Sequence, residues 1–248
     1  MAKPKKVYTE KYFVSHPHPI SVILVGCGGN GSQLLQQLAR INHVLLKLGH
    51  PGIKLAAIDP DIVTEANYGR QLFNENDIGK NKAVVLIERI NRFYGFGWFG
   101  HEEDATAPDV SLSCNIIITC VDSFKTREKI AEKIKETIYY ESEQDKKLYW
   151  IDLGNDKNSG QIIMKSLKNK SMPGLFDLFP EKLNSPLPKK KDSCSVAEAI
   201  ERQDLMVNSF MALVASKMIW EFLKTGQINW HGAFINTETL NIKKLFIN

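Results

Sequence analysis

Paired cysteines are missing from this 248-residue chain: Cys27, Cys114, Cys120 and Cys194 are scattered, with no CxxC spacing. That excludes a disulfide framework and a cysteine-held structural zinc, and it fits reduced thiols in the cytoplasm. No run of eighteen apolar residues occurs, so no membrane-spanning helix or membrane partner is expected. The lysine-rich first residues lack the apolar stretch of a signal peptide, which again predicts a cytoplasmic protein. Neither sign of charge dominates. The formal net charge is +4, and the densest basic cluster, Lys189, Lys190 and Lys191, is too short for a nucleic-acid groove. No direct nucleic-acid binding is therefore expected. None of the six histidines accompanies a serine or cysteine motif, so none is assigned a catalytic role.

What remains is the composition of an ordinary folded protein, 43% hydrophobic and 24% charged. A chain of this length suffices for one sizeable core, and one domain over residues 1–248 is expected. Residues 21–25 form a short apolar, β-branched run that stops at Gly26, the pattern of a strand buried on both faces. Beyond the glycines, Leu34, Leu38, Ile41, Leu45 and Leu48 recur at helical spacing until Gly49 and Pro51 close the segment. A second strand over residues 53–58 ends at Asp59 and completes a βαβ unit. A helix is expected over 80–93, with Val84, Ile87 and Ile90 inward, then a buried strand over 115–121 and a helix over 123–138. Strands follow over 148–153 and 160–164.

This alternation predicts an α/β fold, a Rossmann-like and mainly parallel sheet flanked by helices. Residues 165–192 break it: prolines and lysines mark a long irregular crossover loop, expected to be mobile. Helical spacing resumes over 195–223 through Ala199, Met206, Phe210, Val214 and Met218. Additional C-terminal strands are expected over 230–240 and 241–246.

Chemistry enters at Gly26-Cys27-Gly28-Gly29-Asn30-Gly31, between strand and helix. Missing side chains there let phosphates approach backbone N–H groups at the positive end of a helix. A bare tight turn would use the same glycines. Asp59, at the end of the second strand, stands where a carboxylate accepts hydrogen bonds from a ribose. These features suit a nicotinamide-dependent dehydrogenase as well as an ATP-using enzyme.

The next residues separate the two. Asp59-Pro60-Asp61-Ile62-Val63 leads through Asn67 to Arg70 and Gln71, Gly79 precedes Lys82 and Ala83, and Asp122 follows a buried strand with Arg127 five residues on. In these ordered motifs the chain resembles the ThiF/MoeB and ubiquitin-activating enzyme superfamily over roughly residues 20–165. Its short length and the run from Ser193 look most like the ThiF-family protein of the plasmid-associated PRTRC system.

The resemblance implies adenylation of the C-terminal carboxylate of a small ubiquitin-like protein, with ATP and Mg²⁺, on a homodimer. It implies that Arg70 and Lys82 hold phosphates, Asn67 bonds the phosphate region and Asp122 holds Mg²⁺. Asp59 would take the ribose, while Gly26, Gly28, Gly29 and Gly31 admit the nucleotide. Gln71 would position phosphate or the attacking carboxylate, and Asp61 would fix the turn before Asn67. The roles suit the reaction, because bringing two anions together while pyrophosphate departs requires cations and a metal.

The chain lacks the zinc cysteines of many relatives and has no room for a separate catalytic-cysteine domain. Cys194, after the basic loop, is the candidate for a thioester, beside the plainer reading of a structural cysteine. Under the loop over 165–192, relatives thread their partner's flexible tail. Leu175, Phe176, Leu178 and Phe179 in that loop are either partner contacts or part of its own core. Two readings compete with the enzyme: a nucleotide-binding scaffold without turnover, and an NAD(P)-dependent oxidoreductase.

Overall fold

The computed structural model describes residues 6–8, 11–15, 17–140, 149–183 and 203–247. Short β1 (Val7–Tyr8) is followed by β2 (Ile20–Val25), α1 (Gly29–Lys47), β3 (Ile53–Ile58), α2 (Lys82–Tyr94) and β4 (Phe99–His101). Then come β5 (Ile116–Thr119), α3 (Phe124–Tyr140), β6 (Tyr149–Asn155), β7 (Ser159–Ser166) and the one-turn α4 (Leu175–Leu178). Helix α5 (Val207–Thr225) leads into β8 (Gln227–Ile228), β9 (Trp230–Asn236) and β10 (Asn241–Phe246).

Eight strands make one sheet in the order β10-β9-β7-β6-β5-β2-β3-β4. Every pairing from β4 to β6 is parallel. Strands β7, β9 and β10 extend that block antiparallel. The α/β architecture with added C-terminal strands is thus the one the alternation of elements predicts.

The parallel block is buried on both faces, which explains its unbroken apolar runs. Along β2, Val22 and Leu24 join a core with α1, α2 and α5. Ile23 and Val25 point the other way, to Ile130 and Ile134 of α3 and to Leu112. Helix ends follow their residues: Asn81 caps α2 by accepting from the Val84 N–H at 3.1 Å, and Gly95 terminates it at φ 72°. No described helix is long and apolar enough to cross a membrane.

Several expectations need correction. The inward stripe of α2 is Val85, Leu86, Ile87 and Ile90, with Val84 only half-buried. In α5 the core residues are Val207, Met211, Ala215, Met218 and Phe222, whereas Met206 is 53% exposed. The strand expected over 230–240 stops at Asn236, whose side-chain oxygen accepts from the Thr239 N–H at 2.9 Å, and Leu240 turns at φ 51°. The loop expected over 165–192 begins later, since Lys165 and Ser166 still belong to β7.

Part of that loop is docked on the body. Leu175 is buried, Phe176 tilts against Trp150 at 6.2 Å, and Phe179 meets Phe234 edge-on at 6.0 Å. Leu175 is buried and Phe176 packs against the α3-side core, so these apolar side chains face the protein's own body. Residues 184–192 lie outside the described residues.

The tightest contact in the fold lies where β2 feeds α1. A Cβ added at Gly31 would stand 1.9 Å from the Gly26 carbonyl oxygen. Both atoms there belong to backbone, and no side-chain rotation relieves the clash. Gly31→Ala is expected to lower the unfolding free energy by roughly 3 kcal/mol or more in urea titrations. A midpoint equal to wild type would show that this approach does not fix the start of α1.

Candidate active site

Parallel strands deliver their C-terminal ends to one edge, and three of these ends carry the polar residues of a single cleft. After β2 the chain turns through Gly26 at φ 92°, so close to β5 that a Cβ there would meet the Cys120 carbonyl oxygen at 2.9 Å. Gly29 is pressed against the Asn208 side chain, 2.6 Å from an added Cβ. Gly28 differs, because nothing lies within 4 Å of a Cβ built on it. No packed neighbour fills the place of a side chain at 28; the free space lies on the cleft side, at the N-cap of a 19-residue helix with no side-chain cap. That is the shape of an anion cradle.

Gly26, Gly28 and Gly29 line the cleft, together with Asp59, Asn67, Arg70, Gln71, Lys82 and Asp122. Gly31 does not line it and serves packing instead. The cleft holds about 2050 Å³. This exceeds the ~300–1,000 Å³ usual for a small-molecule pocket, so a nucleotide leaves space for a second substrate.

Asp59 is buried, and its two oxygens accept from the Cys27 N–H at 2.5 Å and the Asp61 N–H at 2.8 Å. Burial raises its pKa, opposed by those two hydrogen bonds and by the charge of Lys82. Each oxygen keeps a lone pair for a further donor. The Lys82 ammonium lies 2.8 Å from the Asp61 carboxylate, and the Lys82 N–H donates to the Asp61 carbonyl at 3.0 Å. Asp61, which the sequence reading confined to a turn, therefore aims Lys82. Its place two residues after Asp59 was the available signal.

Asn67 uses its side-chain oxygen to accept from the Thr64 N–H at 2.9 Å, which leaves its amide N–H₂ for a ligand. Arg70 donates to the Gln203 side-chain oxygen, and its Nε is buried without a hydrogen-bond partner. Gln71 is also buried, with its side-chain oxygen unpartnered. Buried polar atoms are rarely left so, and a cluster of them beside a cleft marks a place for a ligand. Burial lowers the Arg70 pKa, and the nearby negative charge of Asp122 opposes the shift. Asp122 and Arg70 thus act on each other electrostatically across one cleft.

Arg127, the motif residue five positions after Asp122, bonds to residues of β6. It is buried, with its Nε 2.8 Å from Asp152 Oδ1 and its Nη2 donating to the Leu153 carbonyl at 2.9 Å. The same Asp152 oxygen accepts from the Thr119 hydroxyl at 2.6 Å, and that hydroxyl accepts from the Trp150 indole N–H at 2.9 Å. This network braces the ends of β5 and β6 beneath Asp122.

A model of the ThiF family matches residues 18–246. The chain belongs to the ThiF family. Among solved structures it resembles PaaA, with a TM-score of 0.61 at 17% identity over 92% of this chain and 73% of that one. It also resembles E. coli MccB solved with MccA, at TM-score 0.60 and 18% identity over 92% of this chain and 64% of that one. MccB solved with ATP gives 0.56 at 17% over the same shares. At these identities the likeness is one of fold, and the chain spans less than two thirds of MccB. No curated protein matches.

Within this ThiF-family chain Cys27 and Cys120 make poor nucleophiles. Burial pushes the Cys27 thiol well up, helped by Asp59, and burial does the same to Cys120, helped by Asp152. Both stay protonated near neutrality. Cys194, the thioester candidate, lies outside the described residues. Among the described residues no cluster of three or more His, Cys, Asp or Glu stands ready for a metal. Asp122 is one of the carboxylates on the cleft wall, and a Mg²⁺ ion takes a single such group when phosphates and waters fill its remaining positions.

The Arg127–Asp152 pair yields a direct test. Asp152→Ala leaves a buried guanidinium without its counter-charge and is expected to cost about 3–5 kcal/mol in chemical denaturation. Stability within 1 kcal/mol of wild type would mean that Arg127 is neutralised elsewhere.

Proposed function

We propose that this chain uses ATP and Mg²⁺ to adenylate the C-terminal carboxylate of a small ubiquitin-like protein. The observation that carries the reading is the gathering of the open glycine at 28, the cationic side chains of Arg70 and Lys82 and the exposed carboxylate of Asp122 around one oversized cleft.

Each group has a part in the reaction. The carboxylate of the acyl substrate attacks the α-phosphorus, a P–O bond forms, and the bond to pyrophosphate breaks. The N–H groups at the start of α1 and the Arg70 guanidinium take the phosphate oxygens, Arg70 being able to grip two at once. Lys82 supplies a point charge against the leaving pyrophosphate, aimed by Asp61. Asp59 takes the ribose hydroxyls with its remaining lone pairs, and the Asn67 amide donates to phosphate. Gln71, its oxygen still without a donor, orients the acyl substrate. Asp122 would hold Mg²⁺, which would supply charge neutralisation at the phosphates. The remaining volume of the cleft admits an extended polypeptide tail. The solved complexes of MccB with ATP and with MccA agree with such a pairing of substrates on this fold.

Hydride transfer has no use for Arg70 and Lys82 set beside Asp122, which disfavours an oxidoreductase. A scaffold that binds ATP without turnover keeps the same residues and is separated by assay alone. The resemblance also implies a homodimer as the working unit. ATP–pyrophosphate exchange, measured with the ubiquitin-like partner, is expected to fall about 10²-fold or more in Asp122→Ala and in Arg70→Ala. Circular dichroism should remain that of wild type. Wild-type exchange in both variants rejects these site assignments.

A further inference from the structure

Among the cationic side chains on the cleft wall, Lys82, Arg127 and Arg70 are held by partners of different charge. Lys82 meets the carboxylate of Asp61, and Arg127 meets that of Asp152. Arg70 is held by the side-chain amide of Gln203, a neutral group. Two carboxylates and one amide in equivalent roles invite a chemical explanation.

The orientation of that amide follows from its neighbours. A guanidinium offers only N–H donors, so Gln203 must turn its carbonyl oxygen toward Arg70. The Asn208 side-chain N–H₂ approaches the same oxygen at 3.5 Å. Asn208 is buried and packs directly against Gly29 in the phosphate turn. Gln203 therefore links Arg70 to the glycine turn through α5. Its own backbone is pinned on the C-terminal side: the Asp204 N–H donates to the Lys157 carbonyl at 3.0 Å, and the Asp204 carboxylate accepts from the Met206 N–H at 2.9 Å.

We infer that Gln203 is a positioning residue that orients the Arg70 guanidinium for phosphate while leaving its positive charge uncancelled. A carboxylate at 203 would hold Arg70 at least as firmly but would compete with the ligand's negative oxygens for the same charge. An apolar side chain would leave the charge intact and release the orientation. The inference rests on the nucleotide reading above and gives a role to a residue to which the resemblance assigned none.

The test uses the full chain and measures binding of Mg²⁺–ATP and of adenosine by titration calorimetry, with melting temperature as a control. Gln203→Glu is expected to weaken ATP binding about tenfold or more, and Gln203→Leu about fivefold to tenfold, with adenosine affinity within twofold of wild type in both. Gln203→Glu should also keep or raise the melting temperature. In an Arg70→Ala background the same substitution at 203 should cost nothing further, as coupled groups require. ATP affinity within twofold of wild type in both single variants overturns the inference, and so does an equal loss for ATP and adenosine, the mark of a purely structural side chain. If wild type binds no ATP, the nucleotide reading itself falls, and this inference with it.

Discussion

Between β2 and α1 two backbone segments touch because neither Gly26 nor Gly31 carries a side chain, and the Asp59 carboxylate ties the intervening Cys27 N–H to the next strand. That contact fixes the position and direction of the first turn of α1. The N-terminal end of the helix then lies across the C-terminal edge of the sheet. Since β3 and β5 flank β2 in register, Asp59 and Asp122 emerge on either side of the same turn. Loosening the glycine contact would displace the helix end and the two carboxylates from one another.

Electrostatics builds on this frame. On the proposed reading, a cleft that takes a triphosphate must store positive charge before the ligand arrives, and like charges in a confined space repel. The repulsion is managed locally: Arg127 is neutralised by Asp152, Lys82 is tethered by Asp61, and Arg70 is steadied by an amide. The buried carboxylate of Asp59 is offset by two backbone N–H groups. These arrangements cost desolvation energy, which the packed two-faced core must carry. The acid at 122, near Arg70, sits where a divalent cation would complete the balance.

Much of this was legible from residue order. The apolar run ending at Gly26, the helical stripe from Leu34 to Leu45 and the strand ending at Asp59 are local patterns, and each became the expected element. Motif residues 59, 67, 70, 71, 82 and 122 all line the cleft: 59 and 122 because strand ends in a parallel sheet share an edge, and 67, 70, 71 and 82 because they lie on the connection from β3 to α2. Local pattern failed where tertiary contact decides. Strand β4, three residues with a glycine inside, has no periodicity of its own and exists by pairing with β3. In α5 the expected Met218 is in the core, whereas Met206, Phe210 and Val214 each stand one position before a buried residue, because apolar residues surround the helix on most sides. The pairings Arg127–Asp152 and Arg70–Gln203 join residues 25 and 133 positions apart, distances at which spacing carries no information. Gly31 was read as a ligand-admitting glycine, yet its lack of a side chain answers the Gly26 carbonyl rather than a phosphate.

The most direct test of the central claim is a crystal structure of the chain with Mg²⁺ and a non-hydrolysable ATP analogue. The α-phosphate should rest on the backbone N–H groups at Gly28 and Gly29 within reach of Arg70, with the ribose at Asp59 and the metal at Asp122. A nucleotide bound away from the glycine turn, or turned so that its phosphates avoid Arg70 and Asp122, would contradict it.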